Sequence, residues 1–354
     1  MTNSRTALDQ MLADMSAADP LYRPTQFWQT ALEPLIAELS GPGLEKFRSL
    51  EGPLSYFVPT YGFPGYNADR ARFDGVRSAL ERMNLGDRRC GTHLERAMSG
   101  EAQSESDYRV LMSTDQESRP FVSRFSESTV GAPVEHFTFE GRRFSRSSLN
   151  YLLGLAFLKR HCDASSIRTV LEIGAGFGSL GEILLSDARN ECFYVDVDIP
   201  PTLHAATYYL SQALGAAAVA DYSATRGLET IDLAALARTH RAAALATWQL
   251  PRVVGTVDLF VNFISFQEME PEVVKNYLSH VDRLGARYVL LRNLREGKAK
   301  AKSADEVGAV RDPVVGEMYD SFLSRYRLVA TNTVPFGYLT VDGFHSELRL
   351  YQRG

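Results

Sequence analysis

Residues 168–186, R-T-V-L-E-I-G-A-G-F-G-S-L-G-E-I-L-L-S, constrain the fold more than any other part of the chain. Thr169 to Ile173 have the apolar, β-branched character of a buried parallel strand. Three glycines follow, and glycine lets a backbone turn sharply and approach a ligand without a clash from a Cβ atom. The next residues form an amphipathic helix, whose first N–H groups point at whatever binds there. The segment therefore predicts a strand, a ligand-binding turn and a helix, the repeating unit of a doubly wound α/β fold.

The spacing of the glycines, Gly174, Gly176 and Gly178, indicates which ligand the turn binds. A dinucleotide fingerprint has the spacing G-x-G-x-x-G/A, whereas these glycines are spaced G-x-G-x-G and Ser179 occupies the third dinucleotide position. Glu172 lies two residues before the first glycine. A carboxylate there would repel a pyrophosphate but would accept a hydrogen bond from an ammonium group. We therefore predict S-adenosylmethionine as the cofactor, bound by Glu172 and the three glycines.

A second β-rich run, C-F-Y-V-D-V-D-I-P-P at residues 192–201, ends in acidic residues. In doubly wound folds an acidic residue about 20 positions beyond the glycines lies at the tip of the second strand and accepts hydrogen bonds from ribose hydroxyls. Asp198 is the predicted ribose ligand, because Pro200 and Pro201 end the strand directly after it. Asp196 is the alternative, since residues two apart share one face of a strand.

The pattern of helices and strands divides the chain near residue 150. Residues 1–150 are predicted to form a mainly helical substrate-binding cap, with helices such as 25–39 and 68–83. Residues 151–354 alternate strands with helices, which predicts a Rossmann-like doubly wound parallel sheet. Two last β-like runs, 326–334 and 345–352, predict a carboxyl-terminal antiparallel hairpin. The parallel strands are expected near residues 169–173, 192–197, 217–220, 257–264 and 287–292.

Polar residues follow two of these strands at the end where ligands of open α/β sheets bind. Asp221 comes after the third predicted strand and is expected either to contact the adenine ring or to cap a loop. The fourth strand, V-D-L-F-V-N-F-I-S-F-Q-E-M-E-P, brings Asn262, Gln267 and Glu268 to the same end. Polar groups there need partners, which bound ligands supply. Asn262 is predicted to contact the cofactor and Gln267 the substrate.

Charge and hydropathy exclude some classes of partner. The formal net charge is −5 and the pI about 5.9, with no block of like charges of the kind that marks nucleic-acid tails. No run approaches the ~18 apolar residues that a membrane span needs. We therefore expect a soluble, cytoplasmic protein that binds neither nucleic acid nor membrane and acts on a small molecule. Its oligomeric state is left open.

Several longer motifs make the chain similar to a known family. They are P-T-Q-F-W, G-L-E-K-F-R and Y-F-V-P-T-Y, then F-S-R-S-S-L-N-Y-L-L before the glycine turn, and V-D-I-P-P-T-L, Y-Y-L-S-Q and N-F-I-S-F-Q-E-M after it. Over almost the whole chain they resemble the sugar O-methyltransferase family of class I S-adenosylmethionine-dependent methyltransferases. The resemblance implies methyl transfer to a hydroxyl of a sugar or glycosylated metabolite, as in natural-product biosynthesis. It also implies a cofactor site at the glycine turn and Asp198, and a substrate site between Gln267-Glu268 and the amino-terminal region.

Methyl transfer to a hydroxyl requires a general base, because a protonated hydroxyl is a poor nucleophile. His345, on the predicted hairpin, and Glu268 are the two candidates at the mouth of the crevice. Histidine titrates near neutrality, whereas Glu268 follows the fourth strand, where class I enzymes keep acceptor-side residues. A Mg²⁺-assisted route with Asp196, Glu268 and Glu270 as ligands is the alternative, and the metal-free route is favoured.

Aromatic residues of the amino-terminal region are predicted to bind the acceptor. Tyr56 and Tyr61 would supply stacking surface together with Phe27, Trp28 and Phe57. The alternative is that these rings only pack the cap against the sheet.

Three other functions stay open at this point. They are N-methylation of an amino sugar or natural product, a nicotinamide-dependent oxidoreductase, and a non-catalytic cofactor-binding protein. Glu172 and the glycine spacing disfavour the oxidoreductase.

Overall fold

A nine-stranded sheet dominates the second half of the chain in a computed structural model, which describes residues 2–63, 65–67, 70–82, 88–301, 308–340 and 342–354. The strands are β1 (Phe137–Phe139), β2 (Arg142–Phe144), β3 (Thr169–Ile173), β4 (Phe193–Asp198), β5 (Val219–Ala220), β6 (Ile231–Asp232), β7 (Ala242–Ala246), β8 (Val253–Val254), β9 (Leu259–Phe263), β10 (Tyr288–Leu294), β11 (Tyr326–Asn332), β12 (Tyr338–Leu339) and β13 (His345–Arg353). The α-helices are α1 (Thr2–Ala17), α2 (Gln26–Leu39), α3 (Glu51–Tyr56), α4 (Arg70–Arg82), α5 (Arg88–Ser99), α6 (Glu101–Thr114), α7 (Arg146–His161), α8 (Ser179–Leu185), α9 (Thr202–Leu214), α10 (Tyr222–Thr225), α11 (Leu233–Ala237), α12 (Pro271–Arg283) and α13 (Met318–Phe322).

The strand order of the sheet is β11-β13-β10-β9-β3-β4-β7-β5, with β12 paired to β13. The six strands from β10 to β5 run parallel, whereas β13 is antiparallel to both β10 and β11. The predicted Rossmann-like sheet with a carboxyl-terminal antiparallel hairpin is therefore confirmed. Such a sheet places its ligand crevice at the carboxyl ends of the parallel strands.

Strand β7 was not predicted, and it changes the order at one edge of the sheet. Its sequence, A-A-A-L-A, is rich in the best helix former, and its alanines carry no β-branched or aromatic signal. All five residues are buried, and the strand pairs with β4 on one side and β5 on the other. The predicted third strand, β5, consequently lies at the edge and not beside β4. Tertiary packing decided this strand against its local propensity.

Helices cover both faces of the sheet, as the apolar residues on both faces of β3 require. Val170 packs with α7, α8 and α9 on one face, and Leu171 and Ile173 pack with α12 and α13 on the other. The amino-terminal region shares the first of these cores, since the Phe47 ring lies 5.7 Å from the Phe177 ring between their centroids.

The amino-terminal region is mainly helical, as predicted, with a short β1–β2 hairpin that was not. The predicted helix 25–39 corresponds to α2. The predicted helix 68–83 corresponds to α4, and residues 68, 69 and 83 lie outside the described residues. None of the described helices combines the length and the apolar character that crossing a membrane would require.

Candidate active site

A cavity opens at the carboxyl ends of β3, β4, β7 and β9, and the amino-terminal region covers it. Its lining comes from the strand tips, from the start of α7, from α12 and from two amino-terminal segments. The residues are Arg23, Pro24, Thr25, Trp28, Leu54, Ser55, Tyr56, Phe57, Val58, Pro59, Ser147, Asn150, Tyr151, Ile173, Gly174, Ala175, Gly176, Asp198, Ile199, Thr202, Thr247, Phe263, Ile264, Ser265, Glu268, Met269, Val273 and Tyr277.

The glycine turn forms one wall of this cavity. Gly174 has a φ of +73°, and a Cβ atom on it would lie 2.0 Å from the Ser265 hydroxyl oxygen. Any side chain at this position would therefore clash with Ser265. Gly174 and Gly176 line the cavity, whereas Gly178 lies behind them as the N-cap of α8.

Asp198 lies beside the turn at the tip of β4 and lines the cavity. One carboxylate oxygen accepts a hydrogen bond from the Gly176 amide at 3.1 Å, and the other accepts one from the Ile199 amide at 2.7 Å. Burial raises the pKa of Asp198 to about 7, although these backbone hydrogen bonds lower it. The carboxylate is thus held rigidly against the turn, with its remaining lone pairs available to a ligand's hydroxyl groups.

Glu172 and Asp196 lie side by side on β3 and β4 beneath the turn, outside the cavity lining. Both are fully buried. The Tyr194 hydroxyl donates to one Glu172 oxygen at 2.6 Å, whereas both Asp196 oxygens have no hydrogen-bond partner among the described residues. Burial raises the pKa of Glu172 to about 7, and burial together with the charges of Asp198 and Glu172 raises the pKa of Asp196 well above its usual range. Of the two aspartates on β4, Asp198 lines the cavity and Asp196 does not.

Replacing Asp196 by asparagine is expected to stabilise the unliganded protein increasingly as pH rises. Because its pKa is raised on folding, the folded protein binds more protons than the unfolded protein, so this residue lowers stability above about pH 4. Asparagine does not titrate and removes that penalty. Urea unfolding of both proteins at about pH 5 and about pH 8 measures the effect. A stability difference that is the same at both pH values would contradict it.

Glu268 closes the cavity on the side of the cap. The residue is 8% exposed, and its backbone carbonyl accepts a hydrogen bond from the Thr25 hydroxyl at 2.8 Å. The Lys298 ammonium lies 3.3 Å from a Glu268 carboxylate oxygen and 3.7 Å from the centroid of the Phe27 ring. Burial raises the pKa of Glu268, although the charge of Lys298 lowers it. A carboxylate with a raised pKa, facing a cavity, is well placed to accept a proton.

Similarity to known proteins is limited to solved structures. Neither a family model nor a curated protein matches the chain. The structure of the mitomycin 7-O-methyltransferase MmcR is 15% identical, with a TM-score of 0.37, over 59% of this chain and 58% of that chain. The crystal structure of TnmH is 14% identical, with a TM-score of 0.36, over 59% of each chain. That of the magnesium protoporphyrin IX methyltransferase ChlM from Synechocystis PCC 6803, with bound SAH, is 14% identical, with a TM-score of 0.38, over 58% of this chain and 84% of that chain. The match therefore spans less than two thirds of the length of MmcR and of TnmH.

His345 and Gln267, both predicted at the crevice, lie outside the cavity lining. His345 is paired to Glu296, with 2.6 Å between its Nδ1 and a carboxylate oxygen, and a third of its side chain is exposed. It begins β13 beside the carboxyl end of β10, where Ser346 pairs with Leu294, and it does not line the cavity. The Gln267 side chain binds the backbone of β10, since its oxygen accepts a hydrogen bond from the Leu294 amide at 2.8 Å.

Asn262 and Asp221, both predicted to contact the cofactor, have structural roles here. The Asn262 amide donates to the Ile173 carbonyl at 2.8 Å and to the Ser265 hydroxyl at 2.6 Å, which ties β9 to the glycine turn from behind the cavity. Asp221 follows β5 at the sheet edge, and its carboxylate caps α10 by accepting from the Ala224 amide at 2.9 Å. This hydrogen bond fits the loop-capping interpretation, and Asp221 does not line the cavity.

The two tyrosines predicted to bind substrate differ in position. Tyr56 lines the cavity, and its ring contacts those of Phe27 and Trp28. Tyr61 is buried behind the lining, where its hydroxyl donates to Asp107.

Several lining residues were not predicted from the sequence. Thr247 follows the unpredicted strand β7 and lines the cavity. The sequence predicts Asp221 at that position. Asn150 and Tyr151 project from α7, whose apolar sequence predicts only packing. Ile264 has a φ of +73°, which a β-branched residue rarely adopts, and such strain concentrates at functional sites. Within the described residues no three histidine, cysteine or acidic side chains cluster closely enough to hold a metal ion, so Asp196, Glu268 and Glu270 are not brought together.

Proposed function

We propose that the protein is an S-adenosylmethionine-dependent methyltransferase. The observation that carries the proposal is the glycine turn joined to Asp198, through the Gly176 amide, at the head of a cavity on the carboxyl ends of parallel strands. Gly174 and Gly176 leave that wall without side chains, so a ligand can approach the backbone closely.

The residues around the turn fit such a cofactor. Asp198 presents acceptor lone pairs for the two ribose hydroxyls, and Ile199 and Thr247 border the space beside it. Burial and the carboxylate of Glu172 raise the pKa of Tyr151, which lines the cavity. The buried carboxylate of Glu172, on β3 directly before the turn, would add negative potential there for the cationic end of the ligand. The cofactor, when bound, supplies a methyl group on a positively charged sulfur.

We propose a hydroxyl of a small molecule as the methyl acceptor, a sugar or glycosylated metabolite as the sequence motifs imply. Glu268 accepts the hydroxyl proton, because it is the carboxylate on the cap side of the cavity and burial raises its pKa. The amino-terminal region excludes water by covering the cavity, and Trp28 and Tyr56 supply flat apolar surface to the acceptor. Residues 1–150 act in this proposal as the substrate-selecting cap.

Ligand binding separates this proposal from the nicotinamide alternative. Isothermal titration is expected to show saturable binding of S-adenosylmethionine and of S-adenosylhomocysteine but no binding of NAD, whose pyrophosphate the carboxylates around the turn would repel. Release of S-adenosylhomocysteine is then measured with hydroxylated sugars, glycosides and their amino-sugar counterparts. Tight NAD binding would refute the proposal, and turnover of the amino sugars alone would establish N-methylation.

A further inference from the structure

Behind one wall of the cavity, a buried arginine forms no ion pair with any carboxylate that the structure describes. Arg292 is on β10 and is 0% exposed. Its guanidinium donates to the Asn150 side-chain oxygen at 2.7 Å and to the Phe336 carbonyl, while its Nε has no acceptor. A buried guanidinium without an ion-pair partner is costly, so such a group is retained where its charge has a use.

The contact with Arg292 determines which way the Asn150 amide points. A guanidinium can only donate hydrogen bonds, so the Asn150 oxygen must face Arg292 and the amide nitrogen must face elsewhere. That nitrogen is buried and has no hydrogen-bond partner within the part of the chain that the structure describes, and Asn150 lines the cavity. Asn150 therefore offers the cavity an unused donor that is polarised by the positive charge behind it.

Two arginine charges act together in the region behind this donor. A second arginine, Arg146, donates to the Thr60 carbonyl at 2.7 Å and lies 5.0 Å from the Tyr338 ring centroid. Burial would raise the pKa of Tyr338, but the charges of Arg146 and Arg292 outweigh it and lower that pKa. Asp107 is the nearby carboxylate, and burial raises its pKa against the effects of Tyr61 and the arginines. Asp107 therefore offsets the two arginine charges only in part.

This donor lies on the acceptor side of the cavity. The Arg292 guanidinium carbon lies 5.3 Å from the centroid of the Phe263 ring, which lines the cavity and stacks on Tyr151 at 4.9 Å. Along the sheet, β10 is separated from β3 by β9, and Asp198 is one strand further away on β4. Asp198 and Arg292 thus lie at opposite ends of the site.

We propose that Asn150, backed by Arg292, binds an anionic oxygen of the acceptor substrate, a carboxylate or a phosphate. The proposal rests on the methyltransferase function above and deepens it by naming the substrate class as acidic.

The test uses simple anions on the full chain loaded with S-adenosylhomocysteine. Inorganic phosphate and acetate are titrated calorimetrically at constant ionic strength set with chloride, and acetamide serves as the neutral counterpart of acetate. We expect saturable binding of at least one anion, with phosphate and acetate distinguishing the two chemistries, and no binding of acetamide. Asn150→Asp is expected to weaken anion binding at least tenfold, because its carboxylate pairs with Arg292 and repels the ligand. Gln212→Glu, which adds the same charge at an exposed position of α9, should leave it unchanged.

Three outcomes would overturn the anion site. They are no saturable anion binding by the wild type, anion binding by Asn150→Asp equal to the wild type, and a loss of S-adenosylhomocysteine affinity in Asn150→Asp as large as its loss of anion affinity. The last outcome would assign Asn150 to the carboxylate of the cofactor. Failure of the wild type to bind S-adenosylhomocysteine would instead refute the methyltransferase function, and the anion titrations would then be read on the unloaded chain.

Discussion

Replacing Glu268 by glutamine is expected to lower kcat by about 10²–10⁴-fold, because a positioned general base contributes that much to proton transfer. Glutamine keeps the size of the side chain but cannot accept the proton. Cofactor affinity should change little, since the proposed cofactor ligands, Asp198 and the glycine turn, lie on the other side of the cavity. Single-turnover rates and calorimetry on the same protein measure the two quantities separately.

The pH profile provides an independent check on Glu268. A base acts only when deprotonated, and burial raises the pKa of Glu268, so kcat/KM should rise with pH through a value above the ordinary range of a glutamate. This rise of kcat/KM with pH, the acidic limb of the profile, should be absent in Glu268→Gln. Since Lys298 lowers the pKa of Glu268, Lys298→Met should move the limb to higher pH.

Two controls separate the alternatives for this step. His345→Ala should retain kcat, because His345 is paired to Glu296 outside the cavity lining. Activity should also persist in EDTA. Activity lost in EDTA and restored by Mg²⁺ would make Glu268 a metal ligand, and full activity in Glu268→Gln would mean that it is not the base.

Replacing Asp198 by alanine is expected to weaken S-adenosylmethionine binding by tens-fold or more. Losing a charged hydrogen-bond partner costs about 1.5–3 kcal/mol, and about 1.4 kcal/mol corresponds to a factor of ten in affinity. Calorimetric titration measures the change, and circular dichroism establishes that the fold is retained. Asp196→Asn is the matched control, because Asp196 lies two residues earlier on the same strand but outside the cavity lining. Equal affinity in Asp198→Ala and the wild type would contradict the ribose assignment.

Features that depend on neighbouring residues in the chain could be predicted before the structure was known. Strand β3, the glycine turn and the acidic tip of β4 lie within 31 residues of one another (168–198), and each is specified by local chemistry. Glycine conformation, strand periodicity and the two prolines that end the second strand act over a few residues. Glu268 could also be placed, because it directly follows an apolar strand whose carboxyl end must face the crevice.

Features that depend on which distant elements meet could not be predicted in the same way. The chain carries polar residues after several strands, and only the packing decides which of them reach the cavity. Asp221 follows a strand that β7 displaces to the sheet edge, and His345 is drawn to Glu296, 49 residues earlier in the chain.

By itself, then, the sequence determined the α/β class, the glycine turn and its acidic neighbour, since these follow from short-range conformational and electrostatic rules. Tertiary structure alone decided the place of β7, the positions of His345 and Tyr61, and the meeting of Asn150 with Arg292 across 142 residues. The physical reason is that burial and hydrogen-bond partners are properties of the packed molecule. An asparagine on an apolar helix and an arginine in a strand have no distinguishing signal until folding leaves one donor without a partner in a cavity wall.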